Sequence, residues 1–435
     1  MSILLNKTTG SQRNRCVVLG LDGLPLDLAL KLGETLPNIG RIAKLATSVR
    51  AELPELSPVN WTSFYTGAGP EEHGVFGFAR MDSETYQCGV ANFAQVQIPT
   101  IFDRLGDAGL VSRVINLPNT YPARPIKGML VSGFVAERLE QAVHPPFLAG
   151  KLASMGYRLE ADTSRGSEDP DFLLAELRTT LASRLAALDL MWPDLAWDLF
   201  VLVFTETDRL FHFLMPAVIH AAHPLHAACM EFLRRWDEAI GAVLERYDAL
   251  PGPKRLVVLA DHGFTELKTE VDLNAWLRQQ GLLRQTSLPE NEWDSSAISG
   301  ESAAFALDPG RIYLHTRDRF SRASLSRQQA QPALERIKNG LAALTLDGER
   351  VIEKIFEADE LYPGPMRERA PDLVCQARPG FDLKAKFNRK KVFGHFGRTG
   401  THTVDGAIFY DTNGARPQRM RETGRLILDH FGIHP

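Results

Sequence analysis

Continuous apolar runs, not alternation, mark the strand-like segments of this chain. CVVLGLDG (16–23), LFVLVFTETD (199–208) and RLVVLADHG (255–263) are rich in Val and Leu throughout. A strand buried on both faces reads this way, because helices cover both sides of a parallel sheet. SRVINLP (112–118), GMLVSGFV (128–135) and APDLVCQA (370–377) are weaker runs of the same kind. Between them, apolar residues recur at helical spacing. Phe172–Met191 forms one such helix, opened by Pro170 and Asp171. Leu225, Cys229, Phe232, Trp236, Ile240 and Val243 stripe another. This alternation predicts an α/β fold with a mostly parallel central sheet flanked by helices.

Residues 265–390 break the pattern. They are richer in charge and turns (PGR, DGER, PGPMRERAP) and contain a helix over Gln328–Leu344 with two or three strands. They read as an inserted smaller α+β cap subdomain. The core would then comprise residues 13–264 and 391–435. Residues 136–170 read as loop-rich, and no internal repeat is visible.

The chemistry sits where the strands end. Asp22 follows VVLGL, Asp208 follows VLVFTET, and Asp261 follows LVVLA. Open α/β sheets bind ligands outside the carboxyl ends of their strands. His262 adjoins Asp261, and His212 follows Asp208 by four residues, so that pair shares a helical face. His402 lies in GTHTVDG. Three Asp and three His suffice for two nitrogen/oxygen metal sites, suited to zinc or manganese.

SPVNWTSFYTGAGPEEHG (57–74), together with LDG (21–23), TDRLFH (207–212), ADHGF (260–264) and GTH (400–402), resembles the alkaline phosphatase superfamily. Within it, the set is most similar to the type I phosphodiesterase/nucleotide pyrophosphatase group and its bacterial phosphohydrolase- and phosphomutase-like members. The motifs follow the family's order across nearly the whole chain. The resemblance implies an alkaline phosphatase-like fold and two divalent metal ions, Zn2+ with Mn2+ as the alternative.

In the family a Thr or Ser nucleophile stands nine residues before a Thr-Gly pair, with Asn three residues after it. Counting back from Thr66-Gly67 gives Ser57 and Asn60. The resemblance thus makes Ser57 the nucleophile and Asn60 a donor to a phosphoryl oxygen. It assigns one ion to Asp22, Ser57, Asp261 and His262, and the other to Asp208, His212 and His402. Trp61 stands where nucleotide pyrophosphatases often have His. It is expected on the leaving-group side, with the 265–390 insertion. Phe76 and Phe78 read either as an apolar wall of that cleft or as core.

The implied activity is metal-dependent cleavage of phosphodiesters or phosphomonoesters through a phosphoseryl intermediate. The alternatives are a phosphomutase with the same chemistry and a non-catalytic metal- or phosphate-binding protein. Ser57 is followed by Pro-Val-Asn-Trp, which lacks the Cys/Ser-x-Pro-x-Arg spacing of sulfatases. No GxSxG surrounds a candidate nucleophile, and Gly150-Lys151 lacks Walker spacing.

Composition adds exclusions. Lys+Arg minus Asp+Glu is 49 − 53 = −4, so no general nucleic-acid or anionic-membrane footprint exists. A small phosphate ester must be held by local positive charge. Cys16, Cys88, Cys229 and Cys375 form no CxxC pair. The apolar run Ile3–Leu5 is too short for a signal peptide, and no apolar stretch is long enough to cross a membrane. A cytoplasmic protein is expected, and no oligomeric state is implied. His73 is expected to fix the loop after the nucleophile helix. Lys384, Lys386, Arg389, Lys390 and Lys391 read chiefly as a solvated loop, with phosphate recruitment as the second reading.

Overall fold

A computed structural model describes residues 13–433. The Ile3–Leu5 run therefore lies outside the described residues. The three continuous runs form the centre of an eight-stranded sheet. Arg15–Leu21 lies between Leu199–Phe204 and Lys254–Leu259, parallel to both. Ser112–Leu117 and Gly128–Ser132 extend it in parallel beyond Leu199–Phe204. Antiparallel strands close both edges: Ala407–Asp411 then Thr47–Val49 on one side, Val143–His144 on the other. Every residue of Arg15–Leu21 and Leu199–Phe204 is buried, as their unbroken apolar character requires.

The two striped helices run Pro170–Met191 and His226–Asp248. Pro170 occupies the first turn of the former, and Asp169 caps it by accepting the Phe172 N–H at 3.0 Å. No helix among the described residues is long and apolar enough to cross a membrane.

A second sheet orders Ala304–Leu307, Arg311–Leu314, Leu373–Ala377 and Ile352–Glu357, all antiparallel. Helix Arg327–Ala342 is amphipathic and buries Leu334, Ile337 and Leu341. APDLVCQA is thus not a strand of the large sheet. Leu373–Val374–Cys375 are buried, but Gln376 and Ala377 are half-exposed. A run with one wetter end suits a two-layer subdomain better than a sheet covered twice. This second apolar cluster also takes in Tyr86 from the segment after helix Ser57–Thr66. The Nδ1 of His315 faces the Ser302 carbonyl and carries the proton, so the Tyr86 hydroxyl donates to His315 Nε2 across that contact.

Candidate functional site

Five elements deliver charged or hydroxylic side chains to one edge of the large sheet. Asp22 ends the first strand, and Asp261-His262 ends Lys254–Leu259. Asp208 and His212 lie on helix Glu206–Ile219, which begins two residues after the Leu199–Phe204 strand. Ser57 opens helix Ser57–Thr66. His402 lies on Gly400–Thr403, which pairs antiparallel with Gly263–Glu266 and puts His402 opposite Phe264. Backbone packing fixes the cluster. Gly23 has φ +69°, and a Cβ there would lie 3.3 Å from the Asp208 Cα. The Gly23 N–H donates to Asp261 Oδ1 at 3.1 Å. The Thr207 hydroxyl donates to the Asp22 carbonyl at 2.7 Å.

Two groups of potential metal donors result: Asp22, Asp261 and His262, and Asp208, His262 and His402. Within each group the donor atoms lie within 4.8 Å of one another. His262 belongs to both. His212 joins the second through Nε2, 3.4 Å from Asp208 Oδ1 and 3.0 Å from His402 Nε2. The Ser57 hydroxyl donates to Asp22 Oδ1 at 3.3 Å and lies 3.2 Å from His262 Nε2.

The donor chemistry suits divalent cations. The Nδ1 of His402 sits 2.7 Å from the Glu55 carbonyl, and that of His262 sits 3.1 Å from the Gly263 carbonyl. A carbonyl only accepts, so both Nδ1 atoms carry the proton and both Nε2 lone pairs face the carboxylates. Asp208 Oδ1 and Asp261 Oδ2 are buried without a hydrogen-bond partner. Each instead faces an imidazole Nε2 at 3.2 Å. Burial lowers the pKa of all three imidazoles, that of His262 to about 4, so they are neutral and able to donate a lone pair. Burial also raises the Asp261 carboxyl to about 6, and Asp208 adds to the rise. Asp22 is pushed well above the usual range by burial, then by Asp261 and Asp208. Three crowded carboxylates face one guanidinium, Arg209, which is paired with Asp208 and with Glu160 at 3.2 Å. Such an anionic excess in a dry site calls for cations.

The cluster opens on a cavity of about 340 Å³ whose lining includes Ser57, Asp208, His212 and His402. Asp22, Asp261 and His262 sit behind that surface, fully or almost fully buried.

The expected roles of Asn60 and Trp61 need correction, and of the two readings of Phe76 the substrate-wall one falls away. Asn60 is fully buried. Its Oδ1 accepts the Glu52 N–H at 2.6 Å, and its Nδ2 donates to the Glu52 and Leu56 carbonyls at 3.2 and 3.1 Å. No N–H remains for a phosphoryl oxygen, so Asn60 holds the 52–56 turn that carries Ser57. Trp61 is also fully buried, against Gly20 of the first strand. Its Nε1 donates to Asp22 Oδ2 at 3.1 Å, so it supports a carboxylate rather than lining the cleft. Phe76 packs edge-on against Tyr362 at 5.0 Å within a small apolar cluster.

The cleft wall is built by other residues. Phe78 stacks on Phe134 at 5.5 Å and lies 6.1 Å from Trp293. The Arg209 guanidinium covers the Phe134 ring at 4.4 Å. Arg398 lines the same cavity and approaches His212 Nδ1 at 3.4 Å. The basic run divides: Lys390 and Lys391 are exposed, as a solvated loop requires, whereas the other three turn inward. Lys384 pairs with Asp382, Lys386 with Asp308 and Glu292, and Arg389 with Glu270, all on the cavity lining. Trp293 and Phe134 lay in stretches with no motif, so no local signal marked them. Arg209 was marked only by adjoining Asp208.

His73 bridges helix Ser57–Thr66 to the loop that follows it. Its Nδ1 accepts the Val75 N–H at 3.1 Å, so Nε2 carries the proton and donates to the Ser63 hydroxyl at 3.0 Å. His220 and His226 lie on either side of a helix break, away from the cluster.

Residues 16–405 match the family described as type I phosphodiesterase / nucleotide pyrophosphatase. Among curated proteins, none matches the sequence significantly. Solved structures share the fold. Phosphonoacetate hydrolase from Sinorhizobium meliloti 1021, in complex with phosphonoacetate, superposes with a TM-score of 0.63 at 17% identity, covering 96% of each chain. Murine ectonucleotide pyrophosphatase / phosphodiesterase 5 gives a TM-score of 0.58 at 13% identity, covering 97% of this chain and 96% of its own.

Proposed function

Because the chain belongs to the type I phosphodiesterase / nucleotide pyrophosphatase family, a family of metal-dependent phosphoric ester hydrolases, we propose that it cleaves small phosphate esters through a covalent phosphoseryl intermediate on Ser57. One observation carries the reading. The Ser57 hydroxyl lies at the head of a helix, on the cavity lining, within 3.3 Å of a carboxylate of one donor group and 3.2 Å of the imidazole shared by both.

Asp22, Asp261 and His262, with Ser57, would hold one divalent ion, and Asp208, His212 and His402 the other. When bound, such ions neutralise phosphoryl charge and lower the pKa of a coordinated hydroxyl. The chain's own residues do the rest. Pro58 has no N–H, and the Val59 and Asn60 N–H groups bond to the Leu56 carbonyl. The Ser57 N–H is therefore the donor at the helix start left to face an anion. Ser57 Oγ gives up its proton to solvent and forms the bond to phosphorus while the ester P–O bond breaks, and the leaving alkoxide takes a proton back from solvent to depart as the alcohol. Water then attacks phosphorus, breaks the Ser–O–P bond and restores the hydroxyl. The leaving group lies against Phe78, Phe134 and Trp293, beneath the 265–390 cap.

The test pairs a substrate screen with trapping. Zinc- or manganese-supplemented protein is assayed on nitrophenyl mono- and diesters, nucleotides, sugar phosphates and phosphonoacetate. Ser57→Ala should lose about 10³-fold or more in turnover while keeping its fold. Rapid quench should place phosphate on Ser57. Near-native turnover in Ser57→Ala, or label on Thr62, would overturn the assignment. Isomerised product without free phosphate would identify a mutase instead.

A further inference from the structure

A second cavity, of about 560 Å³, backs onto the first. Phe78, Asp308 and Pro309 line the Ser57 cleft, whereas Gly77, Ala79, Leu307 and Arg311 line the second cavity. None of the metal-donor residues reaches it.

Its charge is unbalanced in a specific way. Arg311 is 1% exposed and has no carboxylate within ion-pair reach among the described residues. Its Nε and one Nη donate to the Asp308 carbonyl, and the other Nη donates to the Tyr313 hydroxyl at 3.3 Å. These bonds leave two of its five N–H groups without an acceptor. Gly77 makes room for the guanidinium, since a Cβ there would lie 2.3 Å from its Cζ. Arg80 and Arg369 reach the same cavity and also lack a carboxylate partner among the described residues. The recorded side-chain contact of Arg369 is the Met366 sulfur at 4.0 Å. The other two guanidiniums on the lining, Arg319 and Arg327, are held from behind by Asp372 at 2.8 and 3.6 Å. Asp82, Asp318 and Glu368 are the acids of the lining. Asp82 Oδ1 already accepts from Glu84 and Thr85.

A guanidinium stays charged at any working pH, so burying one without a counter-charge carries a standing cost that an anion removes. Its planar fork matches carboxylate and phosphate oxygens. The volume exceeds what a bare inorganic anion needs and falls in the range of small-molecule sites. Phe305 and Phe320 supply apolar wall beside the cations.

We propose that this cavity is a second ligand site, separate from the substrate cleft, for a small organic oxyanion. Its anionic end sits on Arg311, Arg80 and Arg369, and its carbon part on Phe305 and Phe320.

The experiment is titration calorimetry on full-length protein stripped of metal and dialysed free of chelator. Binding there is independent of Ser57 chemistry, so its outcome is separable from that of the proposed hydrolysis. Glycerol 3-phosphate and citrate are the two probes, and they distinguish a phosphate ligand from a carboxylate ligand. One-to-one saturable binding of at least one probe is expected. Arg311→Met and Arg369→Gln should each weaken it about tenfold or more. Should Arg311→Met fail to fold, Arg369→Gln and Arg80→Gln carry the test. No saturable binding of either probe up to about 10 mM would overturn the proposal. So would binding that both folded variants leave unchanged.

Discussion

Trp61 shows how a residue's role follows from where its one polar atom points. Its ring is buried against the first strand, and its N–H reaches Asp22 Oδ2 at 3.1 Å. Trp61→Phe should therefore weaken metal binding at the Asp22 group, by about 10–100-fold as for other supports of a ligating carboxylate. Selectivity between aryl and alkyl esters should barely move. Phe78→Ala should do the reverse, because Phe78 stacks on Phe134 on the cleft wall. Zinc titration and a two-substrate kcat/KM ratio separate the two outcomes, and a shifted ratio in Trp61→Phe with unchanged zinc affinity would refute the placement. The Asp and His residues that the sequence singled out do come together, Asp22 and Asp261 because they follow adjacent strands of one sheet. The sequence could not tell a Trp or Asn aimed into the cleft from one aimed away. That choice depends on side-chain direction within a helix whose ten residues are all buried. With no exposed face on helix Ser57–Thr66, and polar residues scattered around it, no periodicity revealed which side meets substrate.

At the scale of elements, helix Ser57–Thr66 is held at both ends. Asn60 ties its start to Glu52, and Gly67, at φ +65°, ends it in a left-handed cap. His73 ties its middle to the next loop through Ser63 and Val75. Burial lowers the His73 pKa to about 3, and Arg421 adds to the shift. The unfolded chain protonates His73 near pH 6.5 and the folded chain does not. Between these values the unfolded state holds more protons, so stability falls as pH drops below about 6.5. The slope from this residue is at most about 1.4 kcal/mol per pH unit. His73→Asn keeps an acceptor for the Val75 N–H but cannot titrate, so urea melts from pH 7 to 5 should lose that part of the slope. An unchanged slope would mean that other buried histidines carry it. The central strands were legible because their apolar runs are unbroken, and the long helices because their apolar spacing is regular. The 384–391 run was not, because a row of basic residues looks the same whether water or a buried carboxylate faces it. Here Asp308 and Glu292 face Lys386 and Glu270 faces Arg389, and all three acids come from elsewhere in the chain.

For the molecule as a whole, the donor cluster is where distant parts of the chain meet, from Asp22 through Ser57, Asp208 and Asp261 to His402. Without cations, that junction brings three buried carboxylates together against a single paired guanidinium, and burial with mutual repulsion pushes the Asp22 and Asp261 carboxyls upward. Function thus asks for an arrangement that folding alone disfavours, and bound metal offsets the difference. Zinc at about 100 times its Kd should add about 2.7 kcal/mol to stability and raise the melting temperature by a few degrees. Asp261→Asn separates the two effects. The amide oxygen can still accept the Gly23 N–H, so the local fold keeps its bond, while one charge leaves the cluster. In metal-free protein this variant should melt above the parent, because it removes repulsion at neutral pH. In the presence of zinc the order should invert, since the variant has lost a ligand, and its turnover should fall by about 10²-fold or more. Calorimetric melts of both proteins, with and without zinc, give all four values. If the metal-free variant melts below the metal-free parent, or zinc leaves the parent's melting temperature unchanged, the cluster is not a strained, cation-seeking site.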